Sequence, residues 1–204
     1  MEALEAVRSA ILARRSCRQG YSSEPISRDV LIDLVTAGVY APSGANTQPV
    51  RFLIETRPEQ IAALAPCRRG SERIIGQAAA LIIVFVDRAS CPYLRAPAGK
   101  VWATLPYQDS AAAIQNMLLL ATAHGLASCW VSAFTCMDHH RILSGRTWGD
   151  ILKGYRLPPT MDIMGIVALA HTDRTPQGDE IHHGRPVARQ PVECYLLPES
   201  DSRP

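Results

Sequence analysis

The chain has 204 residues, 47% hydrophobic and 20% charged, which is enough apolar material for one full core and an ordinary globular balance. A formal net charge of only +2 and an aromatic share of 6% argue against a nucleic-acid partner, which would call for a basic face and stacking platforms. The longest apolar run, near Ala78 to Val86, is about half of the ~20 residues a membrane-spanning helix needs, and the acidic start Met1-Glu2-Ala3-Leu4-Glu5 is unlike a secretory leader, so a cytoplasmic location is expected.

Leu4, Val7, Ile11 and Leu12 recur at helical spacing and predict an amphipathic helix over residues 2–14. Arg14-Arg15-Ser16-Cys17-Arg18 follows at once. Its forked, permanently charged guanidiniums and its hydroxyl suit a phosphate monoester. Ser27 is placed to cap a second helix, with Asp29 in its first turn and Val30, Leu31, Leu34 and Val35 on its inner face. Pro42 ends that helix by Tyr40. Ala41-Pro42-Ser43-Gly44-Ala45-Asn46-Thr47-Gln48-Pro49 is then a turn of small and amide residues, whose Ser, Asn and Gln groups can hydrogen-bond a polar ring edge.

Arg51 to Glu55 reads as a short strand, and Thr56 with Glu59 as a capping box for a helix to about Leu64. Leu81 to Val86 has no polar face and reads as a strand buried on both sides. Residues 88–106 are loop-like and carry Tyr93 and Trp102. A long apolar helix runs from about Tyr107 to His124 and stops at Gly125, with Ala111, Ala112 and Ala113 small enough for close helix approach. Cys129 to Val131 is the next strand, Asp138 to about Leu152 holds one or two short helices, and Ile163 to Ala170 is the last core strand. Beyond His171 the periodicity fades into a Pro-rich tail, so the reading is α+β with a single core.

The six cysteines lack any C-x-x-C pair and read as free thiols, and the adjacent histidines 139–140 and 182–183 read as surface residues, so no metal is expected. No Gly-x-Gly-x-x-Gly follows a strand, which leaves a nicotinamide no Rossmann site of its own.

A phosphate-binding cluster followed by an amide-rich turn describes FMN. The runs Arg-Arg-Ser-x-Arg (with Pro25 beyond) and Ala-Pro-Ser-x-x-Asn-x-Gln-Pro together resemble the N-terminal signature of the nitroreductase family of FMN-dependent oxidoreductases. Gly125 to Phe134 resembles that family's central segment, with Ser132-Ala133 where glycine is common, and Arg185 to Glu193 resembles its closing basic segment. The resemblance implies a three-layer α/β/α fold with a central, mostly antiparallel mixed sheet. It also implies one FMN-binding domain over 1–204, with 172–204 as an extended arm, in an intertwined homodimer whose two FMN sites lie at the interface.

By the same resemblance Arg14 and Ser16 would hold the FMN phosphate, Arg18 would reach the ribityl chain or ring edge, and Arg15 would contribute through its backbone. Pro42, Ser43, Asn46 and Gln48 would contact the flavin of the partner subunit, or order that site. Trp130, Val131, Ser132 and Ala133 would lie along the central ring, with Ser132 beside N5 as the one candidate for a catalytic contact. Ser71 aligns with a ribityl position. Arg189 matches the basic residue that closes over the phosphate, Arg185 is a rival register, and Val187 stands where a second basic residue is common. Asp109 matches an aspartate of structural role at the start of the central helix, and Tyr93, Trp102, Tyr107 and Trp130 are candidate pocket aromatics.

The implied activity is ping-pong reduction of nitroaromatics, quinones or similar acceptors with NAD(P)H as reductant. The family also holds oxidases and dehydrogenases of peptide-derived metabolites and oxygen-dependent flavin-cleaving enzymes. A flavin-binding subunit without turnover is a third reading.

Overall fold

The computed structural model describes residues 2–67, 70–91, 104–132, 153–172, 181–182, 185–186, 189 and 191–195. Its centre is a pair of strands with no polar face. β2 (Ala80–Asp87) and β4 (Met161–Ala170) bury almost every residue, so both sides of each must be covered. β1 (Val50–Glu55) flanks β2 and β3 (Ala127–Ser132) flanks β4, giving the order β1-β2-β4-β3. Every pairing in this sheet is antiparallel, with Val50 opposite Val86, Ile83 opposite Ile166 and Ser132 opposite Gly165.

Strand alternation sends two apolar sets to opposite faces. Leu81, Ile83, Phe85, Cys129, Val131, Ile166 and Ala168 meet Ile61 and Leu64 of α3 (Pro58–Leu64) and Ile74 and Ile75 of α4 (Glu72–Gly76). Ile82, Val84, Val167 and Leu169 meet Leu31 and Leu34 of α2 (Arg28–Val39), and also Ile114, Met117 and Ala121 of α5 (Leu105–Ala123). Helices therefore cover both faces, as the three-layer reading requires. Each of the buried Leu, Ile, Val, Phe and Met side chains among these contributes about 1.5–3 kcal/mol.

Ser27 caps α2 as expected, accepting from the Val30 N–H. Gly125, at φ +71°, follows α5 at its C-terminus. α2 and α5 pack closely. Gly38 leaves room for the Phe52 ring, which a Cβ there would approach to 2.9 Å, and Asn116 Nδ2 donates to the Ala37 carbonyl at 3.0 Å. At the other end of this pair His124 Nε2 lies 2.8 Å from Asp33 Oδ2.

Two local expectations fail, and one helix was not anticipated. α5 begins at Leu105, so Pro106 lies inside its first turn rather than in a loop, at a position where proline's missing N–H costs nothing. α4 carries no periodicity long enough to be read from sequence. Thr56 does not cap α3: Arg57 is the N-cap residue and makes no side-chain capping bond. The Glu55 carboxylate instead fixes Arg57, accepting from its N–H at 2.8 Å, from its guanidinium at 3.0 and 2.6 Å, and from Tyr155 Oη at 2.5 Å. The helices expected within 138–152 lie outside the described residues. α1 (Glu2–Ala13) forms as expected but buries none of its residues. Among the described residues no helix is long and apolar enough to cross a membrane.

Burial alone would raise the Glu55 carboxyl pKa, but the hydrogen bonds from Arg57 and Tyr155 outweigh it and hold the group at about 2, against 4.5 ordinarily. A folded-state pKa below the unfolded one contributes stability that is complete above about pH 4.5 and is lost as pH falls towards 2. Denaturant unfolding of Glu55→Gln should therefore show a stability loss of about 1–3 kcal/mol at pH 7 that shrinks steadily between pH 5 and 2. A loss that does not change with pH would contradict this assignment.

Candidate active site

Where α1 ends, the Arg14 N–H still reaches the Ala10 carbonyl, and the chain then turns extended. The Cys17 N–H donates to the Ser128 carbonyl at 2.9 Å, which lays residues 14–18 against the open edge of β3. Tyr21 Oη donates to the Cys17 carbonyl at 2.7 Å, and Ser22 bridges His171 beyond it. Arg14, Ser16 and Arg18 are partly buried, whereas Arg15 is exposed and folds its guanidinium back onto the carbonyls of Leu12 and Arg14. Burial, then the neighbouring charges of Arg189 and Arg15, lower the pKa of Arg14. The tail therefore returns Arg189 to the cluster. An anion placed among these guanidiniums would relieve both their repulsion and their desolvation.

Ser71 stands at the N-cap of α4 but makes no capping bond, and Arg73 of the same helix reaches the Arg18 carbonyl at 3.5 Å. Arg185 lies in the two-residue strand β6 (Arg185–Pro186), paired with β5 (Ile181–His182). Ala133, Tyr93, Trp102, Val187 and the side chain of Arg185 lie outside the described residues, as do His139, His140 and His183. Tyr107 is in the first turn of α5 and partly exposed.

On β3, Val131 points into the core while Trp130 and Ser132 share the other face. Trp130 is 40% exposed, and its indole lies across Gly165 of β4, where a Cβ would come within 2.6 Å of Nε1. Sequence reasoning missed this dependence, since nothing in the pattern of β4 announces a ring lying over its one glycine. It also missed Ser128, which is buried with its hydroxyl unpartnered among the described residues.

The second half of the site is the turn before β1. It contains the 3-10 helical turn Gly44–Asn46 and three non-glycine residues in the left-handed region, Ala45 (φ 47°), Asn46 (φ 56°) and Gln48 (φ 48°). Each costs about 1–3 kcal/mol and persists only where its surroundings over-determine it. Ser43 Oγ accepts from the Gln48 N–H at 2.9 Å, Thr47 Oγ1 donates to the Gly44 carbonyl at 3.0 Å, and Gln48 Nε2 donates to Asn46 Oδ1 at 3.1 Å. Asn46 and Gln48 stay exposed, as does Pro42. Beneath the turn is a cavity of about 310 Å³, with Gly38, Ser43, Gln48, Arg51, Phe52 and Asp109 in its wall.

The two halves do not meet within one chain. The turn leads into the edge strand β1 at the Val86–Asp162 end of the sheet, while the arginine cluster lies on the opposite edge, β3, near Leu169. Three strand spacings across and seven residues along separate them by roughly 25 Å.

Comparison with known proteins agrees with this architecture. The Nitroreductase family model matches residues 11–69 and 66–171, so the chain belongs to the nitroreductase family. It is 29% identical over 162 residues, 79% of this chain and 82% of the other, to an Archaeoglobus fulgidus protein provisionally named NADH dehydrogenase/NAD(P)H nitroreductase. A provisionally named nitroreductase from Desulfovibrio desulfuricans, solved in complex with FMN, superposes with a TM-score of 0.71 at 29% identity, covering 95% of this chain and 96% of that one. Nitroreductase A from Vibrio parahaemolyticus shares the fold at a TM-score of 0.71 and 22% identity, over 96% of this chain and 76% of its own.

Two substitutions test the β3 geometry. Gly165→Ala must push the Trp130 indole outward, so it should cost about 1–3 kcal/mol in unfolding free energy and red-shift the tryptophan emission. An unshifted spectrum would contradict the contact. Ser128→Ala removes a buried hydroxyl that has no partner, and should leave stability equal or higher by up to about 1 kcal/mol in the same unfolding measurement.

Proposed function

We propose that the protein is an FMN-dependent oxidoreductase that takes electrons from NAD(P)H and passes them, in ping-pong fashion, to a nitroaromatic, quinone or similar small acceptor. The observation that carries the reading is the arginine cluster held on the open edge of β3 by the Cys17–Ser128 bond, with the charge of Arg189 returned to it. The donor set fits FMN. Arg14, Ser16, Arg18 and Arg189 offer a phosphate dianion forked and hydroxyl donors. Ser43, Asn46 and Gln48 offer the mixed donors and acceptors that a flavin ring edge takes.

Bound FMN supplies hydride and electron transfer, which no side chain here performs. The chain contributes the rest. The guanidiniums anchor and orient, the Ser132 N–H or hydroxyl can donate a hydrogen bond at N5, and the Trp130 indole supplies an apolar wall against water. We read Arg189 rather than Arg185 as the residue closing on the phosphate, because its charge reaches Arg14.

A second copy completes the site. Half-sites roughly 25 Å apart in one chain can serve one flavin only if the turn comes from a partner. Leu4, Val7, Ile11 and Leu12 on α1, with Val39 and Tyr40 at the end of α2, are large apolar side chains left exposed for such a contact. The working form is thus a homodimer in the cytoplasm, each chain one FMN-binding unit with residues 172–204 reaching towards the other copy.

Anaerobic titration of the FMN-loaded protein with NADH and then NADPH should bleach the visible flavin band, and a quinone or nitroaromatic should restore it. A band that neither nucleotide bleaches would replace this reading with dehydrogenation of an organic substrate. Failure to take up FMN at all would sink both. Arg14→Ala should weaken FMN binding about 10- to 100-fold, as expected for a lost charge-assisted bond.

A further inference from the structure

We infer that Asp109 is the positioning residue that holds the Ala41–Pro49 turn in its binding-competent shape, an inference that rests on that turn contacting FMN. The turn keeps three non-glycine residues at positive φ, and its internal bonds from Ser43, Thr47 and Gln48 tie it only to itself. Asp109 ties it to the body of the protein. Its Oδ1 accepts from the Gly44 N–H at 2.9 Å, across 65 positions of sequence.

The bond is built to be strong. Asp109 is only 6% exposed, so solvent screens it little. A carboxylate accepting from a backbone N–H is a charge-assisted bond. The opposite side of Gly44 is closed by Leu105, whose Cδ1 would lie 3.1 Å from a Cβ at position 44. Leu105 and Asp109 are four residues apart on α5 and so share a face, one packing against Gly44 and the other bonding it. Asp109 also lies in the wall of the cavity beneath the turn. The start of α5 thereby fixes where Ser43, Asn46 and Gln48 are presented. The geometry explains why position 44 is the small residue of the turn, although its own φ is not in the left-handed region.

The test compares wild type, Asp109→Ala and Asp109→Asn by FMN titration, followed by flavin fluorescence, and by amide hydrogen exchange of the apo-proteins. Asp109→Ala should weaken FMN binding at least 10-fold and lose amide protection at positions 44–48, while the sheet and the rest of α5 keep theirs. Asp109→Asn retains an acceptor oxygen and should recover most of both. FMN binding within twofold of wild type together with unchanged protection at 44–48 would overturn the inference, as would protection lost evenly throughout α5. If Asp109→Ala does not fold, Asp109→Ser, whose shorter side chain cannot reach the Gly44 N–H, should show the same loss of affinity and of protection at 44–48, and normal FMN binding with unchanged protection in it would overturn the inference. A wild-type protein that takes up no FMN would refute the functional reading instead, and the exchange data would still decide whether Asp109 holds the turn.

Discussion

Everything in this fold follows from two adjacent strands that cannot face water on either side. β2 and β4 bury their residues on both faces, so α2 and α5 must cover one side and α3 and α4 the other. That requirement spends the helices on the sheet's faces and leaves its two edges to other work. Both edges carry polar groups of the candidate site. β1 is entered through the strained turn, and β3 has its open side lined by the arginine segment. A site built at edges is positioned by backbone hydrogen bonds and strand register, which are rigid.

The electrostatics of the two edges are complementary in kind. At β3 the structure concentrates positive charge at partial burial, an arrangement that is costly by itself and becomes favourable when an anion arrives. At β1 it arranges neutral amide and hydroxyl groups on a backbone held out of its preferred conformation. Strain of this sort is tolerated where the surroundings hold it, and here a buried carboxylate and a helix terminus do so. In the proposed site one edge would supply affinity and the other orientation. Because the edges lie on opposite sides of the sheet, the proposed site calls for a second copy of the chain to bring both to one flavin.

Much of the scaffold was legible from residue order. The unbroken apolar run of β2, the Ser27 cap, the length of α5 and its glycine stop are short-range signals that local physics obeys. Where reading failed, a longer-range interaction had intervened. Thr56 had the right spacing to cap α3, but the Glu55 carboxylate, bonded also by Tyr155 a hundred residues on, holds the Arg57 backbone and makes Arg57 the N-cap residue instead. Pro106 looked like loop because proline usually is, and only its place in the first helical turn made it harmless. Trp130 lying across Gly165 depends on a strand pairing that no window of sequence contains.

The amino-acid sequence by itself determined the family, the residue types of both candidate half-sites and the alternation of elements, because these depend on neighbours within a few positions. It could not determine that the two half-sites lie on opposite sheet edges, that Gln48 adopts a left-handed backbone without being glycine, or that Arg189 returns to Arg14. Those outcomes were decided by tertiary structure, for one physical reason. Each depends on a contact between residues far apart in the chain, whose free energy exists only once the sheet has set its strand order.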